Sequence, residues 1–393
     1  MKSRSVFEQY RGLIITAALS VIALGFLSYA GIIPGNLLDP SLYVTEEERI
    51  RVVPIAVNLE KPWGMAFLPD GDILITELPG RLRRIHDGKL QPQAIGGVPK
   101  VETRDQAGLM DIALDPHFSE NRFIYFTYSK MGPRGNTPAL MRATYDGQQL
   151  NDARDIFVSE AWSRDSGGNT GSRIVFELDG TILMSIGDRH EKLPAQDLMT
   201  DKGKIVRLNS DGTIPPDNPF VKSPGARPEI FAYGVRNPEG LYVEPVSGSI
   251  WESEFGPLGG DEINILLPGH NYGWPVITYG RNYDGTIISD QTAHEGMDQP
   301  IVHWTPSISP SGITIYTGDL FPKWRGNLFV SALSGIQIRR VVFRDHKLVH
   351  EERLLSSDLQ HRIRDVRQSP DGFLYVLVDE PGRVLKIVPA EHS

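Results

Sequence analysis

Three stretches share one layout: LPDGDILITELPGRLRRI at 68–85, ELDGTILMSI at 177–186 and SPDGFLYVLVDEPGRVLKIV at 369–388. In each, an Asp-Gly pair leads into a short β-rich run; a second run follows directly in the first and third stretches, and at Lys204–Leu208 for the middle one. Asp tolerates the left-handed region and glycine enters it freely, so this dipeptide marks a tight turn between strands. The same theme recurs where Ser247-Gly248 precedes Ile250–Glu254, and where Arg325-Gly326 precedes Leu328–Ala332 and Ile338–Phe343. A weaker copy pairs Arg122–Tyr128 with Ala139–Tyr145. About six copies at uneven spacing, with the excess length in loops, predict an all-β chain built as a six-bladed β-propeller. A β-sandwich is the structural rival, but it rarely repeats one turn signature so often. In a propeller the long inter-blade loops gather at one end of the central channel, so chemistry is expected in the insertions and not in the strands.

Composition agrees with this reading. The 393 residues include 39 Gly and 29 Pro, many for a helical protein. The absence of cysteine removes disulfides, thiolate nucleophiles and Cys-ligated metal centres together. A net charge of −9, without a Lys/Arg cluster, argues against a nucleic-acid partner.

The first forty residues form a separate unit ahead of the propeller, expected over 41–393. Lys2, Arg4 and Arg11 flank an uncharged, mostly apolar run from Gly12 to Leu38. It is long enough for the roughly 20 residues of a spanning helix, with the basic flank cytoplasmic. Small residues at Ser28-Tyr29-Ala30 offer the competing reading of a cleaved signal peptide, but the apolar run continues through Ile32 and Ile33 and favours an uncleaved membrane anchor. Either way the propeller is expected outside the cytoplasm, periplasmic or extracellular.

Four insertions carry polar groups beside Gly and Pro. In FAYGVRNPEGL at 231–241, Arg236 and Asn237 could clamp a planar anion or simply tie down a loop. In ESEFGPLGGDEINILLPGHNYGWP at 252–275, carbonyls of Gly256-Pro257 with Asp261 and Glu262 offer oxygens of the kind Ca²⁺ accepts. A solvated acidic turn is the plainer reading. In QHRIRDV at 360–366, Arg362 and Arg364 stand two apart, so strand alternation aims both at one face, where an anion or pairing with Asp358 or Asp365 would relieve their repulsion. SGGNTGSR at 166–173 lacks the Lys of a phosphate-binding loop and leads into a strand, and no hydrolase elbow or zinc-protease motif is present.

Taken in order, GLMDIALDPHF with Gln106 ahead of it, GKIVRLNSDGTIPPDNPF, YGVRNPEGL, FGPLGGDEIN with NYGWP, SPSG before GNLFVSAL, and HRIRDVRQSPDG resemble the soluble glucose and aldose sugar dehydrogenase family. The resemblance covers roughly residues 55–388 and implies an oxidoreductase using pyrroloquinoline quinone (PQQ) and calcium. It places Gln106, Arg236, Asn237, Ser307, Arg362 and Arg364 around the quinone, and Gly256, Pro257, Asp261 and Glu262 in the calcium region. Three guanidinium forks suit a planar cofactor with three carboxylates. The family's catalytic base is a histidine at the position of Asn169, and an amide cannot take a proton at neutral pH. Family members also tend to carry lysine near Ser334 and often histidine near Asp201. No histidine lies between Phe118 and Arg189, which leaves His190 and the carboxylate of Asp165 as nearby replacements.

The resemblance therefore favours oxidation of a small sugar by hydride transfer, with an electron acceptor that no motif identifies. A non-catalytic, ligand-binding propeller displayed by the anchor is the rival. Calcium-assisted lactone or ester hydrolysis is a third reading, weakened by the single acidic loop.

Overall fold

The computed structural model describes residues 42–356 and 359–390. The apolar segment at 12–38 and Asp358 lie outside the described residues. Six antiparallel sheets surround one axis; in five of them the first strand in the chain is innermost, and the sixth is closed by strands from both ends of the described chain. The innermost strands are Pro62–Phe67, Leu109–Leu114, Gly171–Phe176, Pro238–Val243, Pro310–Ile315 and Ile363–Gln368, and each touches the next around a closed ring. The ring is sealed by chain segments far apart in sequence. Arg49–Leu59 pairs antiparallel with Gly382–Pro389, from Ile50 opposite Pro389 to Leu59 opposite Gly382, and Leu42–Val44 adds an outer fifth strand to that blade.

The turn chemistry is repeated closely. Gly71, Gly180 and Gly372 sit at φ of 90°, 86° and 86°. Each donates its N–H to the carbonyl three residues back, Leu68, Glu177 and Ser369, at 3.0, 3.0 and 2.9 Å. The second strands behind these turns, Ile73–Glu77, Ile182–Ile186 and Leu374–Val378, are buried at every residue. A blade has neighbours on both faces, so these runs read as continuous apolar stretches and not as an alternation. Six apolar clusters result, one at each blade-to-blade interface; Trp324, Phe321 and Phe329 anchor that between the fifth and sixth blades.

Every innermost strand also carries a register shift near its start: Pro62/Met65, Leu109/Ile112, Gly171/Ile174, Pro238/Gly240, Pro310/Ile313 and Ile363/Asp365. A bulge re-aims the side chains next to it. Repeated six times around the axis, it turns polar residues toward the channel.

Candidate functional site

Gln106, Asn169, Arg236, Asn237 and Ser307 lie just ahead of innermost strands, and Arg364 lies within one. Five of the six therefore stand in loops that lead into the innermost strands, as expected of inter-blade segments, and Arg364 alone is in a strand.

Hydrogen bonds knit most of these residues together. Gln106 Oε1 accepts from Asn169 N at 2.9 Å. Asn169 Nδ2 donates to Asp188 Oδ1 at 2.7 Å, and Trp274 Nε1 donates to Asp188 Oδ2 at 2.8 Å. The Arg236 guanidinium lies 5.5 Å from the Trp274 ring. Asn237, fully buried, accepts from Gly171 N at 3.0 Å and donates to Glu239 Oε1 at 3.1 Å. Glu239 in turn accepts from Arg364 Nη1. Asp188, Trp274 and Glu239 thus join the candidate site although the motif reading did not single them out, with Glu239 and Trp274 inside quoted motifs.

The arginines behave differently from one another. Arg236 spends Nη1 on the carbonyls of Phe255 and Gly256, at 2.9 and 3.1 Å, and its Nη2 reaches only Tyr283 Oη at 3.5 Å. Arg362 and Arg364 do meet on one side, but at Asp379 Oδ2, 3.2 and 3.9 Å away, and not at Asp365, which faces the axis beside Arg173 and Arg367. Arg362 is half-exposed, whereas Arg364 is buried with Nε lacking any hydrogen-bond partner among the described residues. A buried guanidinium N–H left unpaired is costly, and Arg364 shares this state with the Nε groups of Arg83, Arg189 and Arg339.

Asp261 and Glu262 part company. Asp261 accepts four hydrogen bonds, from Gly256 N, Ser307 Oγ, Ile308 N and Ser309 N, at 2.6–3.0 Å. Burial raises its carboxyl to about 6 against the pull of these donors. Glu262 turns to the other face of its strand, where Asn264 bonds both Glu262 and Glu252. Burial, reinforced by mutual repulsion with Glu254, pushes the carboxyls of Glu252 and Glu262 well up. The two acidic residues therefore do not share one ion site. Among the described residues, no group of three or more His, Asp or Glu is arranged to hold a metal ion. The Ser334 hydroxyl lies 2.8 Å from Ser309 Oγ and 3.4 Å from the Ser307 carbonyl. Asp201 is held elsewhere, by Arg227 and the Glu160 N–H. Asp165 is exposed.

A closed six-bladed propeller whose innermost strands carry buried polar and charged residues defines the class. The particular family follows from comparison: the glucose/sorbosone dehydrogenase family model matches residues 59–386, and the chain belongs to that family of oxidoreductases, with relatives named as aldose sugar and quinoprotein glucose dehydrogenases. It is 40% identical over 347 residues to the aldose sugar dehydrogenase YliI of Escherichia coli K12, covering 86% of this chain and 93% of the relative. The crystal structure of the soluble E. coli aldose sugar dehydrogenase in its apo form matches with a TM-score of 0.83 and 39% identity, over 87% of this chain and 100% of that one. The PQQ-bound aldose sugar dehydrogenase of Streptomyces coelicolor matches with a TM-score of 0.72 and 26% identity, over 86% and 98%.

Proposed function

We propose that the protein oxidises an aldose or related alcohol with PQQ held on the axis by Arg236, Arg362 and Arg364, assisted by Gln106, Asn237 and Ser307. The observation that carries this reading is the unpartnered, buried Nε of Arg364 beside the half-exposed Arg362. In this reading the two arginines face the cofactor together, and guanidinium N–H groups are suited to planar carboxylates. When bound, the quinone supplies a two-electron acceptor for the hydride at the sugar carbon.

The chain's own residues supply the rest. Arg364, already neutralised by Glu239, can turn Nε to an incoming carboxylate without leaving a bare charge. Asn237 locks the two strand starts on which Arg236 and Asn169 stand. For calcium, the oxygens that remain are carbonyls. The Pro257 carbonyl accepts no hydrogen bond among the described residues, while Asp261 fixes the Gly256 N–H and so sets the turn that presents it. Asp261 thus acts as a support in this reading, and Glu262 lies outside the set.

The direct test is to add PQQ and Ca²⁺ to purified protein and record the visible spectrum and aldose-dependent bleaching of a dye. Arg364→Ala should weaken quinone binding by about 1.5–3 kcal/mol, the range for a charge-assisted hydrogen bond. Unchanged affinity would remove the central argument for the site. A ligand-binding propeller is the second reading, favoured only by Asn169 at the base position.

A further inference from the structure

We infer that His190 is the base that removes the sugar hydroxyl proton in this chain, a task that the neighbouring amide of Asn169 cannot perform. The inference rests on the quinone-dependent reading above. Asn169 is 2% exposed and its polar atoms are committed: N–H to Gln106, Nδ2 to Asp188, and carbonyl to Arg189 N at 3.3 Å. Asp188 is no better placed. It is fully buried and accepts from Asn169 Nδ2, His190 N and Trp274 Nε1, and a carboxylate so well supplied with donors is a weak base.

His190 differs on each count. Its imidazole lies against Gly168, the residue before Asn169, so closely that a Cβ there would come within 2.3 Å of Nε2. Neither ring nitrogen has a hydrogen-bond partner among the described residues, and the residue reaches solvent. The backbone that presents it is held firmly. Arg189 and His190 take φ of 59° and 66°, a conformation fixed by the His190 N–H on Asp188 and by the buried Arg189 guanidinium on the carbonyls of Gly168 and Ser166. Two consecutive left-handed residues that are not glycine persist only where the surroundings enforce them.

The charges facing the ring are Asp188 and Asp105 on one side of the balance and Arg189 and Arg236 on the other. Lost solvation, reinforced by the two arginines, holds the imidazole below its ordinary pKa, so it is neutral at pH 7 and able to accept a proton. In the reaction, the hydroxyl O–H bond breaks and its proton goes to an imidazole nitrogen. The electron pair it leaves becomes the second bond of the new carbonyl, while the C1 hydrogen departs as hydride to the two-electron quinone oxidant. An aldose in its ring form gives a lactone. The imidazolium then returns its proton to solvent across its exposed face.

His190→Gln should lower kcat/KM for an aldose about 10²–10⁴-fold at pH 7, the usual contribution of a positioned base, with quinone affinity unchanged by absorption titration. In the unchanged enzyme the rate should rise with pH through a pKa below that of a free histidine, and the variant should lack that limb. Independently of turnover, the His190 imidazole resonances of quinone-free protein should shift when aldose is added to saturation. Retention of rate and acid limb in His190→Gln, with quinone still bound, would overturn the assignment and leave the dehydrogenase reading standing. So would a loss confined to His361→Gln, at the other histidine beside the arginines. Failure of the unchanged protein to bind quinone at all would overturn both.

Discussion

Asp111→Asn should lower the unfolding free energy by about 3–5 kcal/mol, the penalty of leaving a buried charge without its partner. Asp111 is fully buried on the axis, below the arginine site. Its Oδ1 lies 3.3 Å from Arg173 Nη1 and accepts from Arg367 Nη2, while its Oδ2 accepts from Ile174 N at 3.0 Å. Asp365 completes the cluster, 3.2 Å from Arg173 and 2.8 Å from Arg367. Two cations and two anions therefore plug the channel between the site and a cavity of about 200 Å³ at the far end, lined by Arg173, Arg367, Thr314 and Gln368. Removing one anion leaves two guanidiniums on a single carboxylate. Arg173 has little reserve, since its Nη2 is already buried without a partner and its remaining support is the Glu239 carbonyl and the Trp63 face. Denaturant unfolding of the variant checks this, and a loss below about 1 kcal/mol would show that the plug relaxes or admits water.

That plug also shows where sequence reading stops. The outer hairpins were legible because Asp-Gly turns and unbroken apolar runs are local signals, and Ile182–Ile186, Lys204–Leu208, Ile250–Glu254 and Leu328–Ala332 are strands with those bounds. The innermost strands were harder. Segments such as Leu109–Leu114 and Ile363–Gln368 carry Asp111, Arg364, Asp365 and Arg367, which read as loop chemistry until six of them face one axis. Their charges are compensated across blades, Arg173 to Asp365 over 192 positions, and no local pattern carries that information. The arginines and Asn169 were legible through motif resemblance. Their partners were not, because Asp188, Glu239 and Asp379 act through contacts that only ring closure creates. Arg362 and Arg364 illustrate the point: the expectation that they share a face was sound, but the bulge at Ile363/Asp365 sends Asp365 to the axis and leaves Asp379 as their shared anion.

Asn169→His, introduced into the His190→Gln background, should restore aldose oxidation by up to about 10²–10⁴-fold, the contribution of a general base. The backbone at 169 has φ of 44°, a region that Asn and His both tolerate better than most residues. Asp188 already accepts the amide N–H of Asn169 at 2.7 Å and is itself held by Trp274, so it is set to take one imidazole N–H and orient the introduced ring. The other ring nitrogen would then be free to accept the substrate proton, as an amide never is. Adding Ser334→Lys makes the comparison fairer. A lysine there starts from a residue whose hydroxyl meets Ser307 and Ser309, so it can reach the quinone side of the pocket. The measurement is kcat/KM for an aldose in the four combinations of Asn169 and His190 variants, with quinone affinity determined for each. Should every combination, the unchanged protein included, bind quinone yet oxidise no sugar, the oxidation chemistry would lose its proton acceptor at both positions. The axial site would then be better understood as a ligand-binding pocket that kept the family's arginines without its reaction.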